Sequence, residues 1–221
     1  MELNGRRLVD LSHPIEAGMT TYPGLPGPVV SDFWSRESTK SRYASGTTFQ
    51  IGRIEMVANT GTYVDAPFHR FANGPDIAGL PLNKLADLPG VLIDATRAGR
   101  AVDAEIFRRR VLRDRAVLVR TDWDRHWRTP QYAEGHPYLT RGVAEMLVRE
   151  GAALVGIDSL NIDDAADSAR SVHTLLLEAG IPVVEHLTGL GALPSDGFRF
   201  HSVPAPVAGM GSFPVRAYAV L

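Results

Sequence analysis

The stretch Ala153-Leu154-Val155-Gly156-Ile157, then Ser171 to Ala179, Gly180 and Ile181-Pro182-Val183-Val184, decides the fold class. A short apolar run, an amphipathic run and a second apolar run read as strand, helix and strand. Gly180 is placed to end the helix, because glycine takes the left-handed conformation that a C-terminal cap needs. The same alternation extends toward the N-terminus. Val91-Leu92-Ile93 and Ala116 to Val119 read as strands, and Ala104 to Leu112 as a short helix with a basic face. Thr140 can cap a helix that runs to Glu150 and ends at Gly151. Val143, Met146 and Leu147 give that helix its buried stripe.

The first third reads differently. Leu8 to Leu11 and Phe49 to Val57 are strands, with Gly52 a candidate bulge, and Pro23 to Pro28 is a loop. Phe198 to Val203 and Val215 to Val220 close the chain as strands. Strands first, then alternating strands and helices, argue for a mixed α/β domain. No linker separates two units, so residues 1–221 are expected to form a single domain.

Composition narrows the chemistry. Of 221 residues 44% are hydrophobic and 22% charged, enough apolar material to bury a core without staples. The net charge of −2 excludes a generally basic nucleic-acid binder. With no cysteine there is no disulfide, thiolate metal site or thiol nucleophile. No apolar run is long enough for an export signal or a membrane helix, so a cytoplasmic protein with no membrane partner is expected. Gly-x-Ser-x-Gly and the phosphate loop are absent, and Gly189-Leu190-Gly191 breaks off at Pro194. Metal-activated water, acid–base chemistry or simple binding remain.

The densest polar cluster is Asn59-Thr60-Gly61-Thr62-Tyr63-Val64-Asp65-Ala66-Pro67-Phe68-His69. In an extended segment Tyr63 and Asp65 point to one side. His69 follows beyond Pro67, as a ligand or an acid–base group. A second cluster pairs His173 with Glu185. The helix from His173 climbs about 9 Å, and the strand to Glu185 returns about 13 Å. With a reversal at Gly180, one imidazole and one carboxylate face a common point, and Asp65 adds a second carboxylate. Two converging carboxylates repel each other unless a cation lies between them, and Asp, Glu and His suit zinc or manganese.

Together the clusters resemble the cyclase-like metal-dependent hydrolase family, which includes bacterial kynurenine formamidase (arylformamidase) and isatin hydrolase. The family motif His-x-Gly-Thr/Ala-His-x-Asp-x-Pro-x-His corresponds to Asn59-x-Gly61-Thr62-Tyr63-x-Asp65-x-Pro67-x-His69. Gly52 to Met56, the opening Asp10-Leu11-Ser12-His13-Pro14-Ile15, Tyr22-Pro23-Gly24, His136-Pro137 and Gly156-Ile157-Asp158-Ser159 extend the resemblance over nearly the whole chain. It implies the swivelling β/β/α fold, a mixed barrel-like sheet with flanking helices, and a homodimer or homotetramer. Residues 14–46 would then be an arm able to cover a neighbour's site.

By the same resemblance Asp65, His173 and Glu185 are metal ligands and His69 has an acid–base role. The sequence departs where Asn59 and Tyr63 replace two imidazoles that bind metal in relatives, in a two-zinc or a single-manganese site. Asn59 retains a carbonyl as a weak ligand. Protonated Tyr63 is a poor one. The expectation is one divalent cation per chain, zinc or manganese, or a site that has lost it. Three functions follow. The first is hydrolysis of a small formanilide-like or cyclic amide, a C–N bond other than a peptide, by metal-activated water. The second is a lyase, dehydratase or cyclase using Tyr63 and His69 as the acid–base pair. The third is a non-catalytic small-molecule binder. Tyr22, His13 and Phe68 are the substrate-side candidates. Asp158, Asp163, Asp164 and Asp167 lack calcium-loop spacing and read as loop caps.

Overall fold

A computed structural model describes residues 2–3 and 5–221. Among the described residues fourteen strands and three α-helices run in chain order. The strands are β1 (Glu2–Leu3), β2 (Arg6–Asp10), β3 (Val29–Trp34), β4 (Ile51–Glu55), β5 (Tyr63–Asp65), β6 (Leu88–Asp94) and β7 (Ala101–Val102). They continue with β8 (Ala116–Arg120), β9 (Tyr138–Leu139), β10 (Leu154–Ile157), β11 (Val183–Glu185), β12 (Asp196–His201), β13 (Ser212–Pro214) and β14 (Tyr218–Val220). The helices are α1 (Arg36–Thr39), α2 (Arg141–Glu150) and α3 (Ser171–Glu178).

Ten strands form one mixed sheet in the order β1-β2-β14-β12-β6-β8-β10-β11-β5-β13. The central run β6-β8-β10-β11 is parallel and its flanks are antiparallel. The sheet curls: a bridge joins Ser12, just past β2, to Leu187, just past β11. Alternation along each strand builds two cores. Leu118, Leu154, Val184, Phe198 and Phe200 fill the concave side. Val117, Val119, Val155 and Val183 face α2 and α3 on the other. Gly156 is required on the concave side, where a Cβ would lie 2.7 Å from the Leu187 side chain and 2.9 Å from that of Leu118. The mixed, curled α/β domain expected from the sequence is the fold observed.

Three local expectations are corrected. Ala104 to Leu112 is not one helix but a single 3₁₀ turn, Ala104–Phe107. Arg109 turns the chain at φ 65°, so that Phe107 and Leu112 are buried while the guanidiniums splay outward. Val215 to Val220 is not one strand, because β13 pairs with β5 at one edge while β14 lies between β12 and β2. The chain must cross between them, and Pro214 lacks the N–H that would continue the ladder. The strand expected over Phe49 to Val57 shortens to β4, which pairs only with β3. The register shift lies on β3, between Asp32 and Trp34, across from Gly52 and Ile51. This ribbon is almost wholly exposed. No helix among the described residues is long and apolar enough to cross a membrane.

Candidate active site

Strands β5 and β11 pair antiparallel, with Glu185 opposite Tyr63 and Val183 opposite Asp65. Because Val183 faces the helices, Tyr63, Asp65 and Glu185 project to the same side, under α3. His173 comes down from the first turn of α3, and His69 closes the short 3₁₀ turn Pro67–His69 that follows β5. Tyr63, His69, His173 and Glu185 line a cavity of about 440 Å³ with Tyr22, Asn59, Asn161, Arg70 and Arg170, and Asp65 lies buried next to His173.

Asp65 and His173 carry the geometry. Both are buried, and Asp65 Oδ2 lies 3.4 Å from His173 Nε2. Neither atom makes a hydrogen bond among the described residues, to the other or to anything else. Their remaining atoms are fixed from behind. His173 Nδ1 bonds Asp163 Oδ2 at 2.6 Å, which orients the ring. Asp163 is itself held by the Val172 and His173 amides. Ser212 Oγ donates to Asp65 Oδ1 and sits 3.0 Å from His69 Nδ1, while Asn59 Nδ2 donates to it at 3.3 Å. Asp65, His69 and His173 each offer an atom within 4.8 Å of the others, a donor set that fits a divalent cation.

Glu185 is placed differently. Its Oε2 accepts from the Tyr63 hydroxyl at 2.6 Å and its Oε1 from the Ile162 amide at 2.7 Å. Oε1 stands 3.6 Å from His173 Nε2. Both carboxylate oxygens are thus engaged within the protein.

Burial and close charges shift the groups of the pocket in opposite directions. Burial alone would lower His173, but Glu185, Asp163 and Asp65 outweigh it and hold the imidazole well above its usual range. Burial pushes Glu185 up to about 7, with the Asp65 charge adding to the effect against the pull of His173. Burial would also raise Asp65, yet His69 and His173 bring it below the usual carboxylate range. Tyr63 is driven well above 10.0 by burial and by the Glu185 and Asp65 charges, so it stays a protonated donor.

Of the substrate-side candidates, Tyr22 lines the cavity, while His13 and Phe68 do not. His13 stacks on Trp127 at 4.0 Å between ring centres, and its amide bonds Thr62 Oγ1. Phe68 is half-buried. Sequence reasoning missed Ser212, Arg70, Asn161, Arg170 and the tie from Asp163 to His173. Asp163 was legible only as a cap, which it also is. Ser212 gave no signal, since it reaches the site from 147 residues away.

A curled mixed sheet with a buried Asp–His pair between β5 and α3 defines a class, and similarity gives the class its family. The family model described as "Putative cyclase" matches residues 9–164, and the chain belongs to that family. It is 25% identical over 209 residues to a kynurenine formamidase of Bacillus thuringiensis subsp. konkukian, covering 95% of each chain. Among solved structures it resembles a potential metal-dependent hydrolase with cyclase activity, with a TM-score of 0.80, 24% identity, and coverage of 97% of this chain and 98% of that one. Isatin hydrolase A from Labrenzia aggregata superposes with a TM-score of 0.82, at 22% identity over 98% and 94% of the two chains.

Proposed function

We propose that this chain is a metal-dependent hydrolase that cleaves a small, non-peptide amide, formanilide-like or cyclic, with one zinc or manganese ion per chain. The observation that carries the reading is the pair of buried, unpartnered atoms, Asp65 Oδ2 and His173 Nε2, within reach of His69. Burying polar atoms without partners is costly, and a shared cation answers for both at once. The similarity to a kynurenine formamidase and the isatin hydrolase fold agree with this chemistry.

Asp65 and His173 would hold the ion. When bound there, a divalent cation supplies a water acidic enough to react near neutral pH. His69 is the exposed member of the cluster, with 39% of its side chain open, and it moves the protons. Its Nδ1 is steadied by Ser212 Oγ. With such a water, hydrolysis would join its oxygen to the amide carbon as the C–N bond breaks, and His69 would carry a proton to the departing nitrogen. The products are a carboxylate and an amine. Tyr63 holds Glu185 by its hydroxyl and lines the cavity as a donor. A lyase or cyclase with Tyr63 as base would need it to lose that proton, which burial and two carboxylates oppose.

The β3–β4 ribbon supports a homodimer or homotetramer as the working state. Val29, Val30, Phe33, Ile51 and Ile54 on it are 44–64% exposed. A lone two-stranded ribbon is marginal in water, so another copy of the chain is proposed to cover it.

The deciding experiment is elemental mass spectrometry on tag-free protein with D65A and H173A beside it, together with turnover of formanilide and of a cyclic amide. About one zinc or manganese per chain, lost in both variants along with hydrolysis, is the expected result. Metal-free wild-type protein, with both variants folded, would remove the hydrolase reading.

A further inference from the structure

Arg170 stands at the entrance to α3 with φ 48°, in the left-handed region. A residue with a Cβ is disfavoured there. Of the non-glycine residues with positive φ, it is one whose side chain lines the cavity. The side chain lines the same cavity as Asp65's partners. Its Nη2 donates to the Tyr22 hydroxyl at 3.4 Å, a long contact, and its Nη1 is buried with no partner among the described residues. Among the described residues no carboxylate lies within 4.0 Å of it, whereas Arg115, Arg120, Arg128 and Arg216 each have one.

The acids beside it in sequence are already committed. Asp163 serves His173 and the α3 amides, and Asp167 accepts from the Ala169 and Ser171 amides. The first amides of α3 are spent on those two acids, so the uncommitted donors on this side belong to the guanidinium. A second guanidinium flanks the same turn. Arg70 lines the cavity and donates from Nε to Thr174 Oγ1, which in turn donates to the Ala169 carbonyl. The cavity lining therefore holds two guanidiniums and the Tyr22 phenol together with His173 and Glu185. A guanidinium fork matches a planar carboxylate in a way no neutral group does.

We propose that the cavity selects ligands carrying a free carboxylate, read by Arg170 with Tyr22 and Arg70, with the scissile amide turned toward Asp65 and His173. The substrate class becomes an anionic, carboxylate-bearing amide rather than a neutral one. The inference rests on the hydrolase reading for the amide, but the anion site can be read without turnover.

The test is calorimetric titration of wild type, R170Q and R170K with benzoate and with its neutral counterpart benzamide. The expected result is a benzoate preference of about tenfold or more in wild type, lost in R170Q and partly kept in R170K. R70Q should lose a smaller part. A carboxylate that simply binds a cation at Asp65 and His173 would keep its preference in R170Q, and that result overturns the proposal. Equal binding of the two ligands, or no benzoate binding at millimolar concentration, overturns it as well. A kinetic arm compares a formanilide with its ring-carboxylated counterpart. There R170Q should raise KM for the carboxylated substrate about tenfold more than for the neutral one. Wild type that hydrolyses neither, while keeping an Arg170-dependent benzoate preference, would sink the hydrolase reading and leave the anion site standing.

Discussion

The Tyr63 hydroxyl donates to Glu185 Oε2 at 2.6 Å, and both residues are buried. Removing it in Y63F leaves a buried carboxylate oxygen without its donor. The expected cost is about 1–3 kcal/mol of stability, read as a lower urea midpoint with an unchanged slope. A complementary variant, N59H/Y63H, returns imidazoles to the two positions where the family motif has them and releases Glu185 from the phenol. Bound metal should rise from about one ion per chain to two, measured by elemental analysis; an unchanged content would show that Tyr63 is not what limits the site. His13 provides a third residue-level test, through pH. Burial brings its pKa down to about 4, against an opposing pull from the Asp124 charge. Its unfolded value is near 6.5, so its contribution is present above pH 6.5 and is lost as pH falls toward 4. Wild type should therefore lose its stability advantage over H13Q by up to about 1.4 kcal/mol per pH unit in that window. A gap that stays constant between pH 7 and pH 5 would contradict this.

Elements meet closely around the site, and glycines mark where. A Cβ on Gly211, just before β13, would sit 2.5 Å from the His69 Cα and 2.7 Å from its nitrogen. Both are backbone atoms and cannot rotate away. G211A should push the Pro67–His69 turn off β13, costing about 1–3 kcal/mol and most of the activity. Gly142 near the start of α2 has only Thr140 Oγ1 within 4 Å of an added Cβ, at 3.9 Å. G142A should instead stabilise by about 0.5–1 kcal/mol, because alanine loses less backbone entropy on entering a helix. Thermal melts of the two variants should move in opposite directions. The pair separates a glycine required by contact between elements from one that α2 merely tolerates.

The whole molecule has one part that its own core does not explain. The ten-stranded sheet is packed on both faces, yet the β3–β4 ribbon is exposed on both of its own, with Phe33 64% and Ile54 50% accessible. If a second copy covers the ribbon, light scattering at micromolar concentration should give a multiple of 24.0 kDa. F33E/I54E should shift that mass toward the monomer while the far-ultraviolet circular dichroism stays native. A monomeric wild type would show that the ribbon stands free.

The sequence by itself determined the strands around Val91–Ile93, Ala116–Val119, Ala153–Ile157 and Ile181–Val184 and the helices α2 and α3, because their periodicity is local, but not the stretches Ala104–Leu112 and Val215–Val220. It also carried Asp65, His69, His173 and Glu185 as a set, since a two-residue strand repeat and one helical turn fix which way each side chain points. The long-range partners were decided only by tertiary structure. Ser212 reaches Asp65 because β13 pairs with β5, and Arg170 reaches the cavity because α3 lies over β11. Glu185 finds its oxygens taken by Tyr63 and Ile162 because register places Tyr63 directly opposite. Hydrogen bonds and registers between distant segments depend on how the sheet curls, and no local pattern of residues encodes that curl.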